Sequence, residues 1–318
     1  MLRLSFVFSS ALILAANANN APLGAQTVAS QGSAQKAVSL SPPVISSYKY
    51  AKRDWDALTS ELQTNKPPSD AQIDSFVMAM IEHVPDSGMQ SPDDAVSAGV
   101  SVCSANFFQI SDSDGEILIA SIDVNGRHFC NNVEVIHRGA NGLMVQEIDV
   151  WEVDDVNDIV RDPGKDGKNE LVVPTAYSDY NGAECLATWS RIYTLQSGTL
   201  VDRSAAFKQF YKERLDSLEA SMQKAINRDD DDNQDRTICA QMEADKIARF
   251  LGTAPNAGKD KAIEWINSAD QSLRIKGIVV LADIGDKQSI ETLQHLAEDS
   301  NAIVADAAKR ALDRSLGK

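Results

Sequence analysis

Between residues 99 and 202 the chain is punctuated by the dipeptides Asp114-Gly115, Asn125-Gly126, Asn141-Gly142, Asp166-Gly167, Asn181-Gly182 and Ser197-Gly198. Such pairs admit the positive φ that a tight hairpin turn demands, so this stretch must keep reversing direction. Between them, Ile117 to Val124, His128 to His137, Gly142 to Trp151, Glu170 to Pro174 and Ala187 to Gln196 carry β-branched and aromatic residues in partial alternation. That is the pattern of strands with one face turned inward. The expectation is an antiparallel β-domain over residues 99–202, about six to eight strands, open or sandwich-like, with flanking helices covering its edges.

On either side the period changes to that of helices. Trp55, Leu58 and Leu62, then Ile73, Phe76, Val77 and Met80, recur at helical spacing, and Pro67-Pro68 divides them. Ser69 followed by Gln72 reads as a capping box for the second helix. Residues 47–98 are therefore expected to be a short helical region. After the β-domain, Phe207, Phe210, Tyr211, Leu215, Leu218, Met222 and Ile226 form one long stripe from Ser204. Asp229 to Asp232, with Asp235, then breaks it as a solvated loop, and a further helix is expected from Arg236 to Leu251. Residues 203–318 form a helical domain, which makes the fold class α+β.

The last part of that domain, residues 255–318, repeats itself. Ile263 and Ile266 align with Leu293 and Leu296 at a step of 30, and Leu273, Gly277, Val280 and Leu281 with Val304, Ala308, Ala311 and Leu312 at 31. Each copy reads as a helical hairpin that buries its stripe only by stacking on a neighbour, with Gly277 and Ala308 allowing close approach. The segment Ser272 to Asp286 resembles the second helix and following turn of a short, bacterial HEAT-like repeat. That resemblance implies an extended surface for a protein partner and few catalytic residues. The other reading is an appendage that packs on the β-domain and touches nothing else.

One turn carries ion chemistry. Asp162-Pro163-Gly164-Lys165-Asp166-Gly167-Lys168-Asn169-Glu170 leads into Leu171-Val172-Val173, with acids at its first, fifth and ninth positions. Alternating acids around a glycine let a short loop wrap oxygens about a hard cation. Calcium is the candidate, held by Asp162, Asp166 and Glu170 with the Lys168 main-chain carbonyl. The stretch resembles the calcium loop of FG-GAP or VCBS-type blades. It departs where Gly164 replaces the usual Asp or Asn, and Asp155 or Asn157 upstream would have to compensate. The other reading is a charged hairpin turn. The domain is too short for several blades, so a closed propeller is not expected.

The formal net charge is −16, and residues 99–202 hold 17 acids against 6 bases. That balance argues against nucleic acid and anionic membrane surfaces as partners. Met1 to Asn20 reads as a secretory signal peptide: Arg3, the apolar run Leu4 to Ala16, and the small-residue site Ala16-Asn17-Ala18, cleaved after Ala18. Residues 19–46, rich in Ala, Gln, Ser and Pro, read as a disordered linker. The first cysteine is Cys103, so no lipid anchor is expected, and no later run is long and apolar enough for membrane insertion. The address is exported, periplasmic or extracellular.

Four cysteines, Cys103, Cys130, Cys185 and Cys239, suit one or two disulfides in such a compartment. Three pairings are open; the sequential one would clip the β region and fasten the tail to it. His128 and Cys130 lack the second close pair that a zinc site needs. No nucleophile elbow, HExxH, phosphate loop or dinucleotide fingerprint occurs. None of His83, His128, His137 and His295 has a neighbouring residue that would make it a base. An exported hydrolase therefore ranks below two other classes. The first is a non-catalytic protein that binds another protein through its HEAT-like tail. The second is a calcium-dependent β-domain that recognises a surface or ligand.

Overall fold

The computed structural model describes residues 40–82, 100–123 apart from 112 and 114, 130–150, 152–176, 188–225 and 232–315. The turn chemistry builds two antiparallel sheets. In the first, β2 (Ser101–Phe108), β3 (Ile117–Asp123), β4 (Asn132–Gly139) and β5 (Gly142–Asp149) pair in succession, and β1 (Val44–Ile45) adds outside β5. In the second, β6 (Val160–Arg161), β7 (Glu170–Ala176), β8 (Thr188–Gln196) and β9 (Thr199–Asp202) pair in order. The β8–β9 turn shows why the dipeptides matter: Ser197 and Gly198 take φ of 50° and 77°, which joins Gln196 directly to Thr199. Paired positive φ values match the twist of the flanking strands.

Strand register sorts side chains to two faces, and both faces of the first sheet are buried. Leu118, Ile136 and Val145 are register partners on one face. They pack against Trp55 and Leu58 of α1 (Ala51–Leu62) and Phe76, Val77 and Met80 of α2 (Asp70–Glu82). On the other face Ile119, Val133, Val135 and Ile148 meet Leu171, Val173, Tyr193 and Leu200 of the second sheet. The far side of that sheet, through Val172 and Ile192, packs against Tyr211 and Leu218 of α3 (Lys208–Ala225) and Ile247 of α4 (Asp232–Leu251). The order of layers is helices, sheet, sheet, helices. All of β3 is buried, which is how a central strand between two apolar layers must read.

The tail continues as two hairpins, α5 (Lys259–Ile266) with α6 (Gln271–Ile284), and α7 (Lys287–Leu296) with α8 (Ala302–Ser315). Asp270 and Asp286 cap α6 and α7 by accepting main-chain N–H bonds at 2.7 and 2.8 Å. Gly285, at φ 62°, ends α6 in the left-handed conformation a C-terminal cap favours. A Cβ on Gly277 would lie 2.7 Å from the Ala262 carbonyl oxygen, so the glycine sets how closely α5 and α6 cross. Cys239 and Met242 of α4 join the core of these hairpins, seating them on the preceding helix.

Several expectations change. Residues 40–46 are not linker: Leu40 bridges Ile148, β1 pairs with β5, and Ser41 exchanges bonds with the main chain of Glu147. Pro42 and Pro43 stand just before β1, at the edge of the sheet, where proline is tolerated. Residues 1–39, and with them the expected leader and the rest of the expected linker, lie outside the described residues. The flanking helices cover sheet faces rather than edges. The helix expected from Arg236 begins at Asp232, so Asp232 and Asp235 of the expected loop lie in the helix, while Asp229 to Asp231 lie outside the described residues. The capping box keeps its return half, Gln72 Oε1 accepting from Ser69 N–H at 3.0 Å.

Candidate functional site

The Asp162–Glu170 turn links β6 to β7. The Asp162 carboxylate accepts from the N–H groups of Gly167 at 2.8 Å and Asp166 at 3.1 Å. These main-chain bonds, the one from Gly167 first, hold its carboxyl below the usual range. Asp166 accepts from Lys168 N–H at 3.2 Å. Lys165 and Gly167 adopt positive φ, 55° and 83°, and Lys165 Nζ reaches Glu213 on α3 at 2.7 Å. The turn thus gathers Asp162 and Asp166 but uses their oxygens on its own backbone. Lys168 is exposed, while Glu170 is buried at the start of β7. Asp155 instead accepts from Asn157 N–H at 2.9 Å and Ser104 Oγ at 3.4 Å. Among the described residues no three His, Cys, Asp or Glu side chains gather closely enough to hold a metal.

Cys103 and Cys130 form a disulfide with Cα atoms 6.2 Å apart. Cys103 is the extra residue of a bulge in β2, between the paired Val102 and Ser104. A bulge turns a side chain out of alternation, and here it sends a sulfur to the segment entering β4. Cys239 is also disulfide-bonded; Cys185 lies outside the described residues, as do His83 and His128. His137 is 2% exposed on β4. Its Nδ1 lies 3.1 Å from the Arg138 carbonyl oxygen, and burial pushes its pKa down against that hydrogen bond. His295 is exposed on α7.

A groove of about 400 Å³ opens where α4, α5 and α6 meet, lined by Ile238, Trp265, Ser268 and Leu273. Lys261 and Glu264, paired at 2.8 Å, stand exposed at its rim. Beyond it lies an ionic site that sequence reasoning missed. Asp283 on α6 takes Lys246 Nζ on one oxygen and Arg249 on the other, each at 2.6 Å, and all three side chains are buried. Burial pushes the Asp283 carboxyl up, but the two cations outweigh it and hold it down to about 2. Lys246, lowered by burial to about 8, also lies 5.4 Å from the Trp189 ring centre of the second sheet. The one sequence signal was an acid amid the apolar stripe of α6; its partners on α4 are 34 and 37 residues away. No family model, curated protein or solved structure matches this chain.

Proposed function

We propose that the protein is exported and acts by binding another protein, with residues 255–318, together with the facing side of α4, as its contact surface. The observation that carries this reading is the groove at the α4–α5–α6 junction. Its floor is apolar, Ile238, Trp265 and Leu273, and its rim carries one charge of each sign, Lys261 and Glu264. An apolar floor with a polar rim suits an anchoring side chain from a partner. The HEAT-like pattern supports the same reading, because stacked hairpins present continuous surface. The Cys103–Cys130 disulfide supports an oxidising compartment, as does the leader-like opening stretch.

Capture from envelope extract tests this, using the full chain beside Leu273→Glu and a Lys261→Glu/Glu264→Lys exchange. A partner held by the parent chain and lost with Leu273→Glu is the expected result. A partner held equally by all three removes the groove from the account. Deleting the tail would be a poorer test, since it strips Asp283 from Lys246 and Arg249. A second reading, recognition through a calcium-loaded turn, draws support from Asp162 and Asp166 sharing one glycine-shaped turn. It predicts capture that chelator abolishes and Asp166→Ala weakens.

A further inference from the structure

A second buried charge site lies on the opposite side of the sandwich, beneath α1 and α2. Strands β4 and β5 set Asn132 opposite Asp149 and, one pair inward, Glu134 opposite Glu147. All four are in phase with Ile136 and Val145 and so face the helix layer. The pairs run from surface to core: Asp149 is exposed, Glu147 and Asn132 are half-buried, and Glu134 is 6% exposed. Glu147 accepts from Asn132 Nδ2 at 2.6 Å. One carboxyl oxygen of Glu134 has no hydrogen-bond partner among the described residues.

Among the described residues, what surrounds Glu134 explains why no cation neutralises it. Strand β3 places Ala120 beside it. The residues that α1 and α2 contribute to this core, Ala51, Trp55, Leu58, Ile73, Phe76, Val77, Met80 and Ile81, do not titrate. Among the described residues of the sheet, the other charges on this face are Asp149 and Arg138, and Arg138 is tied to Asp56 of α1. Directly opposed like charges repel across a sheet, and a buried carboxylate without a cation or donors is costly to ionise. The stable arrangement keeps a proton on the inner member.

We propose that the Glu134–Glu147 pair is a proton-operated latch: with the proton in place α1 and α2 sit closed on the first sheet, and its release to solvent loosens them. Burial first, then the Glu147 charge, raises the Glu134 pKa from 4.5 to about 8. Burial, then Asp149, raises that of Glu147, and the Asn132 bond opposes the rise. The folded state therefore binds more protons than the unfolded chain between 4.5 and about 8, and stability falls as pH rises through that window. By its upper end the folding equilibrium has shifted on the order of a thousandfold.

Hydrogen exchange of residues 51–62 and 70–82, corrected for intrinsic rates, reads the latch in the full chain. Protection there is expected to drop between pH 5 and 8.5 by more than that of α5 to α8, and Glu134→Gln is expected to abolish the drop. Carbon-13 titration of the Glu134 carboxyl in the unaltered protein covers a variant that fails to fold. A Glu134 that titrates near its ordinary value overturns the proposal, as does an undiminished drop in Glu134→Gln. Millimolar calcium that removes the drop in the parent chain also overturns it, making the pair a cation site.

Discussion

The two faces of the sandwich solve one electrostatic problem in opposite ways. Behind the second sheet, Asp283 is charged and held by two cations that belong to a different helix. In front of the first sheet, Glu134 meets another carboxylate and apolar helices. The paired site is directional: its geometry requires α4 and α6 in one register, so it fixes where the tail sits. The unpaired site fixes nothing while ionised, and it turns helix packing into a quantity that pH controls. A buried charge thus anchors elements when its partner comes from another element, and it loosens them when no partner comes.

The largest way to break this contrast is Asp283→Ala, which leaves Lys246 and Arg249 buried without their anion. It should cost about 3–5 kcal/mol, read as the urea midpoint at neutral pH, with exposure of Trp189 if the tail undocks. Next is Glu134→Gln, which should stabilise the chain by about 3 kcal/mol at pH 7 and by nothing at pH 4, because the amide cannot ionise. Gly277→Ala acts through sterics alone and leaves both charge sites intact. Its Cβ would meet Ala262 and Ile266, costing about 1–3 kcal/mol at every pH. The smallest effect belongs to Lys165→Ala, which removes the exposed pair with Glu213; less than about 0.5 kcal/mol is expected, and less still in high salt.

How far these features are legible in sequence follows the range of the physics involved. Asn141-Gly142 and Ser197-Gly198 mark hairpins because turn chemistry is local, and β3, β5, β7 and β8 fall within a residue or two of their expected bounds. Strand β2 is harder to see, since Ser101, Cys103 and Ser104 blur the alternation around its bulge. The helical stripes are legible because each helix has to bury one apolar face against a neighbour. Glu134 alternates with Val133 and Val135 as an acid on an open face would, and only the cover of α1 and α2 makes it a core residue. Asp162 and Asp166 do share the turn that their spacing suggested, but the backbone bonds that occupy their oxygens belong to the folded loop alone.

The direct test of the contrast is folding stability against pH, from 4 to 11, by urea unfolding of the full chain. Glu134 removes stability from 4.5 up to about 8. Lys246 has its folded pKa lowered from 10.5 to about 8, so the unfolded chain binds more protons above 8 and stability returns toward 10.5. Stability is expected to pass through a minimum near pH 8, with the acid limb absent in Glu134→Gln. A profile that is flat, or highest near pH 8, would contradict it.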